Sequence, residues 1–384
     1  MIHLLKGSLQ RYDWGSCSYI QELIGLPEQE RQPLAELWLG AHHKAPAWID
    51  GQSLDVFLKE NPHLAGDSYS SEQPLPFLLK VLAAQTPLSI QVHPDKAQAE
   101  AGFERENELG LALDSSVRNY RDANHKLELI CALTPFEAMC GFRAYEQITE
   151  ALRALGLSTG IAACERFCTD PNPQSWKECF AKLLCLESET LAQTLHNTAQ
   201  LDPDIWESEL AWIERLAQLY PRDCGVLAPL YLNIVQLQPM EALFLDTGTP
   251  HAYLQGAGIE VMTASDNVLR AGLTSKHIDL KELSKVLIFK PLPPEILRLN
   301  SGTSGLGFFP QKADEFKLGY AQVNPASRLD LQLDTPAIIL CMEGELSLVQ
   351  SSSQIRLQRG KAAFCDALEQ DISISGEGAF FVVM

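Results

Sequence analysis

The chain has 384 residues, 46% of them hydrophobic, enough to bury substantial cores in two or three domains rather than one. Its 49 acidic residues outnumber 30 lysines and arginines, for a formal charge of −19. That balance argues against a nucleic-acid partner, which wants a basic stripe to displace counterions, and against an anionic membrane surface.

The N-terminal stretch "MIHLLKGSLQRYDWG" reaches polar residues after only a few apolar ones, and no later run is long and uncharged enough to span a bilayer, so a cytoplasmic protein is expected. From Met1 to about Cys140, short apolar runs such as "AELWLGA" and "PFLLKVLAA" are broken by Pro, Gly and Asp in the manner of strands and loops, with "SSEQPLPF" as a loop. Between about Arg143 and Tyr220 the period becomes helical: Ile148, Leu152 and Leu155, then Trp176, Phe180 and Leu183, then Trp206, Leu210, Ile213 and Ala217. The cysteines of this block, Cys164, Cys168, Cys179 and Cys185, lack paired C-x-x-C spacing and read as reduced thiols rather than a metal site. After Pro221 the runs "YLNIVQLQ", "EALFL", "HAYL" and "IEVMTA" are again β-like. From about Pro291 a last set of short strands ends the chain, and the glycines of Ser301 to Phe309, with no helix after them, read as a linker rather than a phosphate loop. The expected fold is mainly β with a helical insertion. Residues 1–142 and 221–290 form one β unit, 143–220 the insertion, and 291–384 a C-terminal jelly-roll-like domain.

Three places in this pattern carry chemistry. In "QVHP", Gln91 and His93 are two apart on a strand and share a face, while Pro94 ends ladder pairing, as suits a strand at the mouth of a barrel. Taken alone, the pair also fits a hydrogen-bonded histidine in a barrel interior. Glu128 lies in a β-like run with Lys126 on the same face. A buried carboxylate without a partner costs several kcal/mol, so Glu128 needs a cation, which Lys126 or a metal ion could supply. In "EALFLDTGTPHAYL" a strand turns through "DTGTP" and sets His251 at the start of the next. Together Gln91, His93, Glu128 and His251 make a two-nitrogen, two-oxygen set that suits zinc first, with manganese, cobalt and ferrous iron as alternatives.

The ordered motifs "YDWG", "AELWLGAH", "PFLLKVL", "LSIQVHPDK", "NHKLE", "ALTPFEAMCGF", "GTPHAYL" and "EVMTASDNVLRAGLT" resemble those of type I mannose-6-phosphate isomerases, from the N-terminus to about Lys276 and skipping the helical block. The resemblance implies a cupin fold, with a catalytic cupin in the first β unit. It also implies one Zn2+ per chain on Gln91, His93, Glu128 and His251. The implied reaction interconverts D-mannose 6-phosphate and D-fructose 6-phosphate through an enediol. Leu127 stands where family members often have proline, at a position expected to point away from the ion.

Within that reading Arg270 matches the family's catalytic arginine, its rival role being a salt bridge to Asp266. Glu260 is a candidate for proton transfer or ring opening, or for orienting a ligand of the ion, and Lys126 and Asp266 are further candidates for moving protons. Lys80, Lys276, Ser89 and Thr274 are expected to bind the substrate phosphate, with surface lysines the rival reading for Lys80 and Lys276. Trp14 and Trp38 read as core. The partner is a sugar phosphate and the protein is expected to be a monomer. A sugar-phosphate-binding cupin without catalysis and a ferrous oxygenase are the rival functions. The first is disfavoured by the presence of Glu260, Lys126 and Arg270, the second by the extra ligand Gln91.

Overall fold

The protein is described here from a computed structural model covering residues 1–384 except 31, 69, 71–72, 301–304, 334, 352 and 369–370. Strands hold 34% of the residues and helices 28%, so the chain is mainly β with helices inserted, as expected. Among the described residues the strands form an eleven-stranded and an eight-stranded sheet, with one small two-stranded ribbon.

The eleven-stranded sheet is folded over on itself by one long strand, His251–Thr263. Its first residues pair with Phe136–Phe142 and with Ile90–Val92, whereas Gly256–Thr263 pairs with Phe77–Ala84 and with Glu128–Ala132. The strand changes layer at Gly256, where φ is +122° and an added Cβ would lie 2.7 Å from the Pro135 carbonyl oxygen, so glycine is required there. Between the layers sits a compact apolar plug that includes Ile130, Phe136, Val235, Leu245 and Tyr253.

A second core, shared by Leu79, Val81, Leu129 and Ile259 with Phe316, Ile338, Phe364 and Phe381, joins the outer face of this barrel to the eight-stranded sheet. The alternation is strict. Glu128 and Ile130 face the barrel interior, while Leu129 and Cys131 face the second sheet.

The inserted helices run from Tyr145–Ala154 to Pro203–Leu219 and pack through Phe142, Phe167, Trp176 and Phe180 onto the other layer. Cys164 and Cys179 lie Sγ to Sγ at 3.0 Å inside that core, and Cys185 is exposed. Among the described residues no helix is long and apolar enough to cross a membrane.

Four sequence expectations are corrected. Ile2–Leu5 does not belong with the first β unit but pairs with Ala362–Cys365 in the eight-stranded sheet. Conversely, Ile296–Leu297, placed in the last domain, pairs with Ala242–Leu243 in the eleven-stranded sheet. Alternation shows that a segment is a strand and which face is apolar, and carries no information about its partner. Lys96–Glu108, in a region read as strands and loops, is a helix. Its buried face is made of Ala99, Gly102 and Glu106, so apolar periodicity is nearly silent. Its capping box, with the Asp95 side chain accepting from the Gln98 amide, was the legible signal. Within the expected linker, Leu306–Phe308 is a strand paired with the run from Gly319 to Ala321, while 301–304 lie outside the described residues.

Candidate metal centre

Strand register brings the site together. Gln91 faces His251 across one ladder and Arg270 across the next, so three side chains from distant parts of the sequence stand in a row. Glu128 opens the Glu128–Ala132 strand on the far side of the long central strand. His93 follows the Ile90–Val92 strand and is held by its carbonyl, which accepts from the Gly248 amide at 2.8 Å.

Hydrogen bonding fixes where the ring protons are. His93 Nδ1 lies 2.7 Å from the Asn267 carbonyl oxygen, and His251 Nδ1 lies 2.9 Å from that of Thr249. A carbonyl can only accept, so each Nδ1 carries its proton and each Nε2 presents a bare lone pair. The two Nε2 atoms converge on one carboxylate: His93 Nε2 is 3.4 Å from Glu128 Oε1 and His251 Nε2 is 3.3 Å from Oε2. All three residues are buried, and His93 Nε2 has no hydrogen-bond partner.

Acceptors facing acceptors in a dry site repel unless a cation lies between them. Lys126 Nζ, 3.0 Å from Glu128 Oε1, supplies one positive charge but reaches only the carboxylate. The orphaned imidazole nitrogen is what a borderline divalent ion would satisfy, so His93, Glu128 and His251 fit the ion expected from the sequence, and Gln91 stands opposite His251 in register.

The electrostatics agree. Burial alone would raise the Glu128 carboxyl, but the Lys126 ammonium outweighs it and holds the group well below the usual carboxylate range. Burial, reinforced by the Lys126 ammonium, lowers His93 from 6.5 to about 4. In the unfolded chain this imidazole titrates near its ordinary value, so between those two pH values the unfolded state binds more protons. Stability therefore rises with pH across that window and is lost as pH falls. Chelator-treated protein is expected to lose Tm between pH 6.5 and 4, and His93→Gln to flatten that part of the curve. An unchanged slope in the variant would contradict the assignment.

The other expected residues divide into three groups. Glu260 and Lys80, opposite each other in register, form a buried pair: Lys80 Nζ is 2.8 Å from Glu260 Oε2 and 3.4 Å from Glu36 Oε1. Tyr253 donates to the other Glu260 oxygen at 2.8 Å, and Trp38 donates to Glu36 at 3.1 Å. Burial opposes the Lys80 charge, but Glu260 and Glu36 outweigh it and raise its pKa. Lys80 is thus neither a surface lysine nor a free cation.

Arg270 makes no salt bridge with Asp266. That carboxylate instead accepts from Lys44 Nζ at 2.5 Å and lies 3.3 Å from His42 Nε2. Burial pulls Asp266 upward, yet His42 and Lys44 hold it well below the usual range, which leaves it little capacity to shuttle protons. Arg270 gathers with Arg121 and Lys276. Burial first, then the Arg121 guanidinium, lowers the pKa of Arg270, and burial first, then Arg270 and Arg121, lowers that of Lys276. Among the described residues no carboxylate pairs with Arg270 or Lys276, so the cluster can receive an anion. Thr274, half-buried, accepts from the Lys276 amide through Oγ1 at 3.1 Å, and Ser89 stands half-buried one residue before the Ile90–Val92 strand.

Sequence reasoning missed Arg121, Glu36 and Tyr253. Tyr253 and Glu36 were within reach of the same alternation, two residues from His251 and Trp38. Arg121 lies in an irregular segment where no periodicity applies.

Residues 2–145 match the family model of the phosphomannose isomerase type I catalytic domain. Over the full length the chain is 38% identical to a mannose-6-phosphate isomerase of Escherichia coli strain K12, covering 97% of each chain. To a human mannose-6-phosphate isomerase it is 32% identical, over 95% of this chain and 93% of the relative. Among solved structures, mannose 6-phosphate isomerase from Salmonella typhimurium bound to fructose 6-phosphate and zinc superposes with a TM-score of 0.90 at 37% identity, covering 100% of this chain and 98% of that one.

Proposed function

The chain belongs to the type I mannose-6-phosphate isomerase family, and on that premise we infer that it is an aldose–ketose isomerase interconverting D-mannose 6-phosphate and D-fructose 6-phosphate, with one zinc ion held by Gln91, His93, Glu128 and His251. The observation that carries this reading is the convergence of two bare imidazole nitrogens on one buried carboxylate, beside a cluster of cations without a carboxylate partner.

Moving a carbonyl between C1 and C2 opens the sugar ring, takes a proton from C2 and returns one to C1, and negative charge develops on the enediol oxygens. A bound zinc ion supplies Lewis acidity toward those oxygens. The Lys126 ammonium and Arg270 guanidinium add fixed positive charge where it is needed, and they favour the transition state because its charge exceeds the substrate's. Glu260 is aimed by Lys80 and Tyr253, which suits a carboxylate that accepts a proton and passes it on. Arg121, Arg270 and Lys276 bind the phosphate dianion, with Thr274 and Ser89 as hydroxyl donors. The total charge of −19 does not oppose this, because charges beyond about 8 Å are largely screened at physiological salt.

The catalytic unit in this proposal is residues 1–142 and 221–290, less the N-terminal strand and with Ile296–Leu297 added, with 143–220 inserted and the rest of 291–384 appended. A cytoplasmic monomer acting on a free sugar phosphate completes the reading. Purified protein given mannose 6-phosphate should form fructose 6-phosphate, stop when treated with chelator, and recover on addition of zinc. No conversion by a sample holding one zinc per chain would end the proposal.

A further inference from the structure

The two irregular segments that flank the centre, residues 121–125 and 264–268, lie outside helix and strand, so no ladder holds them. Their hydrogen bonds run to each other instead. The Asp122 carboxylate accepts from the Ser265 hydroxyl at 2.8 Å, the Asp266 amide at 2.7 Å and the Asn124 amide at 2.9 Å. The Asn267 side chain, fully buried, donates through Nδ2 to the Asp122 and Asn124 carbonyls at 2.8 Å each. Its Oδ1 accepts from the Arg121 amide at 2.7 Å. Such a network resists displacement, because any shift of either segment leaves the fully buried Asn267 side chain with an unpaired polar group.

What this network holds is the centre. The Asn267 carbonyl accepts from His93 Nδ1 and so sets both the tautomer and the direction of the ring. One segment leads within a few residues to Lys126 and Glu128 and carries Arg121, while the other leads to Arg270. We propose that Asp122 and Asn267 form a clasp that positions the metal centre: by tying the two segments together they orient His93 and set the spacing between its nitrogen and the Glu128 carboxylate. Both are positioning residues, since neither side chain is directed at the ion or the substrate. The clasp rests on the zinc centre proposed above, but its test is the strength of ion binding rather than turnover.

Zinc release from the loaded, full-length protein to a chromophoric chelator should be about 10- to 100-fold faster in Asp122→Asn, the range typical when the partner orienting a metal-bound imidazole is disturbed. Ser265→Ala, which removes one donor to the same carboxylate, should give a smaller change in the same direction. Linkage requires the converse in the unmodified protein: zinc should slow hydrogen exchange at the Arg121 and Asp266 amides, both of which end in the clasp. A folded Asp122→Asn that releases zinc at the wild-type rate overturns the proposal. So does equal exchange at these two amides with and without zinc, a measurement that stands even if the variants fail to fold. Failure of the unmodified protein to bind zinc would instead refute the centre itself.

Discussion

His251→Ala is expected to empty the centre of zinc and sharply slow isomerisation while leaving a folded protein. The side chain supplies one of two imidazole nitrogens, and without it a lone histidine, a carboxylate already shared with Lys126 and an amide make a poor site for a borderline ion. The ion's charge stabilisation of the enediol is worth several kcal/mol. Losing about 4 kcal/mol at 1.36 kcal/mol per tenfold slows turnover by about 10³-fold. The fold should survive because the pairing of His251 with Gln91 and Cys140 is made by the main chain. Removing the imidazole also relieves repulsion between acceptors, and Lys126 still neutralises Glu128. Metal content by mass spectrometry and a thermal melt check both halves. Zinc retained at one per chain would remove His251 from the ligand set.

Arg270→Ala should do the opposite, keeping zinc and losing catalysis. Its guanidinium stands beside Gln91 in register and next to Arg121 and Lys276, with no carboxylate partner of its own among the described residues. Removing one fixed donor to a developing oxyanion typically slows turnover by about 10²- to 10³-fold. A fall of that size in kcat/KM with unchanged zinc content is the expected outcome. Because Arg270 is also proposed to bind the phosphate, inhibition by inorganic phosphate should weaken in parallel. Metal loss equal to that of His251→Ala would contradict the separation of roles.

Gln91, His93, Glu128 and His251 were legible in the sequence because each lies in or at the edge of a strand, where alternation by two reports the face. The helical insertion was legible for a similar reason, since Trp176, Phe180 and Leu183 repeat at the period of a helix and are buried. Alternation could not report what lies opposite a buried charge. Lys80 read as a phosphate ligand, and it is held by Glu260 and Glu36 from the strands on either side. Asp266 read as a proton carrier, and it is held by His42 and Lys44, more than two hundred residues away.

The sequence alone thus marked which residues could bind an ion, that they sit at positions of strands where alternation reports the face, and where helices interrupt the β pattern. These are local properties, set by the geometry of a strand or helix over a few residues. Only the tertiary structure decided which strands are neighbours, and with that which charges neutralise one another, which cations are left for a phosphate, and how Asp122 meets Asn267. The energy of a charge depends on everything within a few ångströms of it, and the chain brings those groups together from positions that no sequence period connects.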